Sequence, residues 1–63
     1  MTPKWAKNAL DKMYFDCPDY TIAWAAKIGT HSTFCLTWQA GGCVEVTFSA
    51  NYGASLVSEN WRS

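Results

Sequence analysis

Hydrophobic and polar positions divide the chain into five segments, separated by turn-rich stretches at Phe15 to Asp19, Gly29 to Ser32, Ala40 to Gly42 and Ala50 to Gly53. In the first segment Trp5, Ala6, Ala9, Leu10 and Met13 recur at helical spacing, and Thr2-Pro3 ahead of them supplies an N-cap with proline at the first helical position. The pattern predicts a helix over about 3–14. Pro18 disfavours helical geometry at Cys17 and, with Asp16 and Asp19, turns the chain. From Tyr20 the period becomes two: Tyr20, Ile22, Trp24, Ala26 and Ile28 alternate with Thr21, Ala23, Ala25 and Lys27, which reads as a strand over about 20–28, with the alanines leaving a helix open. Phe34, Leu36 and Trp38 alternate with polar or small neighbours, as do Val44, Val46 and Phe48, giving strands over about 33–39 and 43–49. At the C-terminal end Leu56, Val57 and Trp61 fall on one side of a short helix over about 54–61.

These elements predict an α+β fold: a single small α-β-β-β-α domain, with a three-stranded antiparallel meander and both helices on one face. The covered face carries Trp24, Phe34, Leu36, Trp38, Val44, Val46 and Phe48, so Trp5, Trp24 and Trp38 read as core. Keeping the apolar residues together pairs Trp38 with Val44, Leu36 with Val46 and Phe34 with Phe48, around an Ala40-Gly41-Gly42 loop of the type I turn and glycine bulge kind. In that register Cys35 and Cys43 stand about four residues apart, roughly 13 Å, too far for a disulfide. The other face shows small or weakly polar residues with Lys27 and Glu45 as its charges, a surface that stays wet or accepts a partner.

Composition narrows the functional classes. Sixty-three residues bury about 60 % of their unfolded surface, so most large apolar side chains are needed for one core. Five basic against five acidic residues exclude a polybasic nucleic-acid arm, and a 49 % hydrophobic fraction excludes disorder. No apolar leader or run of bilayer-spanning length is visible, so the expectation is a cytoplasmic protein with no membrane association. Three cysteines without C-x-x-C spacing fit free structural thiols in a reducing compartment.

Candidate chemistry is sparse. His31 and Cys35, four residues apart, pair on paper as base and nucleophile, but a loop histidine beside a strand cysteine lacks an oxyanion donor arrangement and a pocket, so the reading is not an enzyme. Zinc on Cys17, His31, Cys35 and Cys43 conflicts with the paired short spacings of structural sites, and Gly41-Gly42 lacks the lysine and following helix of a phosphate loop. No metal and no cofactor is expected. Tyr14, Phe15, Tyr52 and Trp61 lie at element ends, where aromatic residues either finish a core or form an interface, and they are the candidate protein-binding residues.

Several residues also resemble landmarks of the double-stranded RNA-binding domain: Thr2-Pro3 opening the first helix, Pro18-Asp19-Tyr20 entering the first strand, Gly29 followed by His31 in the first hairpin loop, and Phe34 opening the second strand. The resemblance implies a helix, three strands and a helix, with Lys4, Lys7, Asn8 and His31 as RNA contacts. Lys12 lies on the same basic helix face and joins them as a candidate nucleic-acid contact. The family's phosphate-clamping lysines should fall near Asn51-Tyr52-Gly53-Ala54-Ser55, where no basic residue stands, and the loop at His31 is one residue short. The expected function is therefore a small non-enzymatic protein acting by protein–protein interaction as an inhibitor, adaptor or subunit, with the size of phage or mobile-element inhibitors of host defence complexes. The alternative is dsRNA binding by a divergent domain, and a homo-oligomer through the polar sheet face or an edge strand is a third reading.

Overall fold

The computed structural model describes residues 2–50 and 54–62. One helix, α1 (Lys4–Met13), precedes four strands, β1 (Thr21–Ile28), β2 (His31–Thr37), β3 (Cys43–Ser49) and β4 (Ser55–Arg62). The strands form one antiparallel sheet in the order β1-β2-β3-β4. The α+β class and the antiparallel sheet are as expected, but the order is α-β-β-β-β, and the C-terminal helix over 54–61 is a strand. Eight residues with only three apolar positions make a marginal helix in water, whereas pairing with β3 satisfies backbone groups along a buried strand that would otherwise be an edge.

At the start of α1, Pro3 is the N-cap in an extended conformation, without a side-chain cap, and its carbonyl accepts from the backbone N–H groups of Ala6 and Lys7 at 3.1 Å. Thr2-Pro3 therefore begins the helix one residue later than expected. Ala6, Leu10 and Tyr14, four residues apart, form the buried stripe, and they pack with Phe34, Leu36, Val44, Val46 and Phe48 of the sheet. Trp5 extends this contact, lying edge-on to Phe34 and Phe48 with ring centres 6.3 and 5.7 Å away.

The core holds no fully buried tryptophan: Trp5 sits at its margin, Trp38 is partly buried, and Trp24 is 46 % exposed. Trp24 leaves the core because of a bulge. Ile22 pairs with Leu36 but Trp24 pairs with Cys35, so Ala23 is an extra residue and the alternation behind it is reversed. Ala25 and Lys27 then share the helix-facing side, while Trp24, Ala26 and Ile28 share the open side with His31, Thr33 and Cys35. Period two in the sequence locates this strand but cannot reveal the inserted residue that divides its faces. β4 carries a second bulge, since Thr47 pairs with Ser58 and Phe48 with Leu56, leaving Val57 extra.

The β2–β3 turn keeps its three-residue length but shifts by one position. Gly41 N–H donates to the Trp38 carbonyl at 3.0 Å and Trp38 N–H to the Gly42 carbonyl at 3.3 Å, so Gln39, Ala40 and Gly41 form the loop. Gly41 takes the left-handed position at φ 110°, which a side-chain-bearing residue would resist. Phe34 consequently faces Val46, Leu36 faces Val44 and Ser32 faces Phe48. This corrects the expected thiol separation: Cys35 faces Glu45 and Cys43 faces Thr37, a diagonal of about 7–8 Å. All three cysteines are nevertheless free.

Replacing Leu10, wholly buried where the helix meets the sheet, should show how far the two layers depend on each other. Leu10→Ala is expected to cost about 2–5 kcal/mol in urea unfolding, with helix and sheet signals lost in one transition.

Candidate functional site

Two of the aromatic residues assigned from sequence to element ends, Tyr14 and Trp61, meet where α1 ends. Tyr14 closes the helix, its backbone N–H donating to the Leu10 carbonyl at 2.9 Å, and its ring meets Tyr20, Trp38 and Trp61 edge-on. Of the two roles open to an end-of-element aromatic, Tyr14 takes the core one, being 4 % exposed. Its hydroxyl donates to Glu59 Oε2 at 2.6 Å, a charge-assisted bond that gives this β4 carboxylate a partner on the helix side of the sheet. Burial first, and the neighbouring carboxylate second, push the Tyr14 phenol far above its ordinary range.

Trp61 stacks on Trp38, with ring centres 5.3 Å apart and planes 21° from parallel, yet remains 53 % exposed. Trp38 is held from below by its indole N–H, which donates to the Cys17 carbonyl at 2.9 Å. Phe15, the residue after Tyr14, is 78 % exposed. Tyr52 lies outside the described residues. Beside Phe15 the loop turns through Asp16 to Asp19, and together with Trp38, Gln39 and Ala40 it lines an open groove of about 740 Å³. Trp38 is its aromatic lining residue, and Asp16 and Asp19 are its two carboxylates.

The candidate nucleic-acid contacts are divided between two sides of the sheet. Lys4, Lys7, Asn8 and Lys12 are exposed on α1. His31 is not in a loop: a two-residue turn, Gly29-Thr30, joins β1 to β2, and His31 is the first residue of β2 on the side away from the helix. Gly29 at φ 60° in the first turn position fits the type II′ hairpin. Lys7 is already engaged, donating to Asp11 Oδ1 and to the Tyr20 hydroxyl at 2.9 Å each, while Tyr20 donates to Asp11 at 2.6 Å. The Tyr20 hydroxyl and then Asp11 raise the Lys7 pKa, and Tyr20 and then Lys7 lower that of Asp11. This exposed triad ties the helix to the entry of β1.

His31 and Cys35 lie four residues apart on one strand face, roughly 13 Å, so the structure does not bring them together as base and nucleophile. Cys17 sits on the helix side and Cys35 and Cys43 on the open side. Burial first raises the pKa of Cys17, with Asp16 adding to it, and burial first raises that of Cys35, with Cys43 and Glu45 adding, which favours the neutral thiol. Among the described residues no group of three or more histidine, cysteine or acidic side chains is placed to hold a metal ion, and no helix is long and apolar enough to cross a membrane. Sequence reading missed Glu59 as a partner of Tyr14, since 45 residues separate them and only strand pairing brings β4 to the helix.

Compared with known proteins, the chain matches no family model, no curated protein and no solved structure.

The Tyr14–Glu59 bond carries a directional pH dependence. Its phenol is held protonated in the fold, so the stabilisation is full below the unfolded tyrosine value of about 10 and is lost as pH rises toward the raised folded value. Tyrosinate absorbance should show the Tyr14 phenol resisting ionisation until the chain unfolds, and Tyr14→Phe should remove that component. A cycle of Tyr14→Phe and Glu59→Gln is expected to give a coupling of about 1–2 kcal/mol at pH 7.

Proposed function

We propose that the chain is a non-enzymatic, cytoplasmic protein-binding module, acting as an inhibitor, adaptor or subunit. The observation that supports this best is the amount of large hydrophobic side chain left outside the core. Among the described residues Phe15, Trp24, Ile28, Leu56, Val57 and Trp61 are all at least about half exposed, in a chain with few such residues to spare. Phe15, and Trp61 stacked on the groove-lining Trp38, are exposed aromatic side chains of the kind that make up an interface hot spot. The partner's complementary element is an exposed lysine or arginine flanked by apolar residues. Free thiols are in keeping with a reducing compartment. The size suits the small inhibitors that phages and mobile elements direct at host defence complexes, and this is the setting in which a partner should first be sought.

The test is a tagged capture from source-cell lysate, divided into nuclease-treated and untreated halves, with wild type and Phe15→Ala compared. A stoichiometric protein that survives nuclease, and whose affinity falls about fivefold or more in Phe15→Ala, is the expected outcome. Circular dichroism should show the variant folded, because Phe15 is 78 % exposed. Recovery of RNA that collapses with nuclease would overturn the reading in favour of dsRNA binding through Lys4, Asn8 and Lys12.

A further inference from the structure

β1 is an edge of the sheet, eight residues long, and it is exposed at every position except Ile22. Edge strands of this length are ordinarily blunted by charge, proline or a bulge. Here the bulge at Ala23 ends the regular part of the strand, and Trp24 to Ile28 beyond it carries a single charge, Lys27. The two-residue turn makes Ile28 and His31 a hydrogen-bonded pair, so Ala26 and Trp24 also direct their backbone groups at β2. Ala25 and Lys27 therefore direct their N–H and C=O groups out of the open edge.

From this edge we infer that the occupant is a second copy of the chain, paired β1 to β1 antiparallel about a two-fold axis through Ala26. One two-fold register alone uses all of residues 24–28. It sets Ala25 opposite Lys27 twice, as hydrogen-bonded pairs, and Trp24 opposite Ile28 twice, as the closer non-hydrogen-bonded pairs, with Ala26 facing Ala26 between them. The sequence is self-complementary in this arrangement. The two bulky residues stand two positions either side of a small one, so each indole meets an isoleucine and not another indole. Lys27, on the opposite side of the strand from Trp24, faces Ala25 and never the second Lys27. Zero net charge leaves no general repulsion between copies. Pairing merges two four-stranded sheets into one of eight and covers Trp24 and Ile28, which are otherwise 46 % and 80 % exposed. Five paired residues a side make a small contact, so the dimer belongs to the weak, concentration-dependent class.

Light scattering on the full chain, from about 5 µM to about 1 mM, should show the mass rising from 7.0 kDa toward twice that value. Ala26→Lys puts two ammonium groups opposite each other on the axis and is expected to weaken dimerisation by about tenfold or more. Its circular dichroism should be unchanged, because Ala26 is exposed. A second variant does not depend on that substitution folding: oxidised Ala26→Cys should form a disulfide joining the two substituted positions, located by peptide mass spectrometry against the native thiols, and Thr21→Cys should not. A mass of 7.0 kDa at every concentration would overturn the inference and leave the edge to a strand from another protein. Self-association that Ala26→Lys leaves intact would overturn it too. Phe15→Ala leaves this dimer unaffected, so the two surfaces fail or succeed separately.

Discussion

The structure rests on one layer contact, in which the stripe of Ala6, Leu10 and Tyr14 covers Phe34, Leu36, Val44, Val46 and Phe48. A ten-residue helix is marginal in water by itself, and a sheet with five large apolar residues on one face needs a cover. Each half supplies what the other lacks. The one helix among the described residues covers one face, and the helix side of β1 stays open near Ala25 and Lys27. The exposed surfaces are thus a consequence of how small the core is. Phe15, Trp24 and Ile28 have no place in this contact and are left to face solvent or a partner.

Two bulges, both in edge strands, decide what those surfaces display. Ala23 moves Trp24 and Ile28 to the open face, and Val57 sets the phase that turns Glu59 and Trp61 toward Tyr14. Bulges concentrate at sheet edges because an unpaired residue there breaks few ladder bonds while increasing local twist. The result is a division of labour between ends of the molecule. Where α1 ends, aromatic rings, a carboxylate–phenol bond and the acidic groove gather around Trp38, whereas the β1 edge offers backbone groups and a short apolar strip. The first displays side chains and the second displays an open strand edge.

The basic face of α1 illustrates why composition alone misleads about binding surfaces. Lys7 is spent on Asp11 and Tyr20 within the chain, and His31 occupies the far side of the sheet. A contact surface assembled from these residues would have to span both layers. Linear spacing groups them, because helix and hairpin loop are neighbours in a resemblance to a helix, three strands and a helix, but the fourth strand replaces the second helix of that order.

Local pattern was enough for α1, for β1 to β3, for the length of the β2–β3 turn and for the five sheet residues of the core with Ala6 and Leu10 of the helix, since each rests on a period or a turn residue readable within ten positions. Everything that depended on a partner far along the chain was decided by the fold. The segment over 55–62 became a strand because β3 offered an open edge, Tyr14 became core because Glu59 and Trp61 arrived on that strand, and Trp24 left the core because one extra residue reversed its face. Side-chain alternation is a local property, whereas register and bulges are settled by the backbone hydrogen bonds and burial of the whole sheet, which no window of the sequence contains.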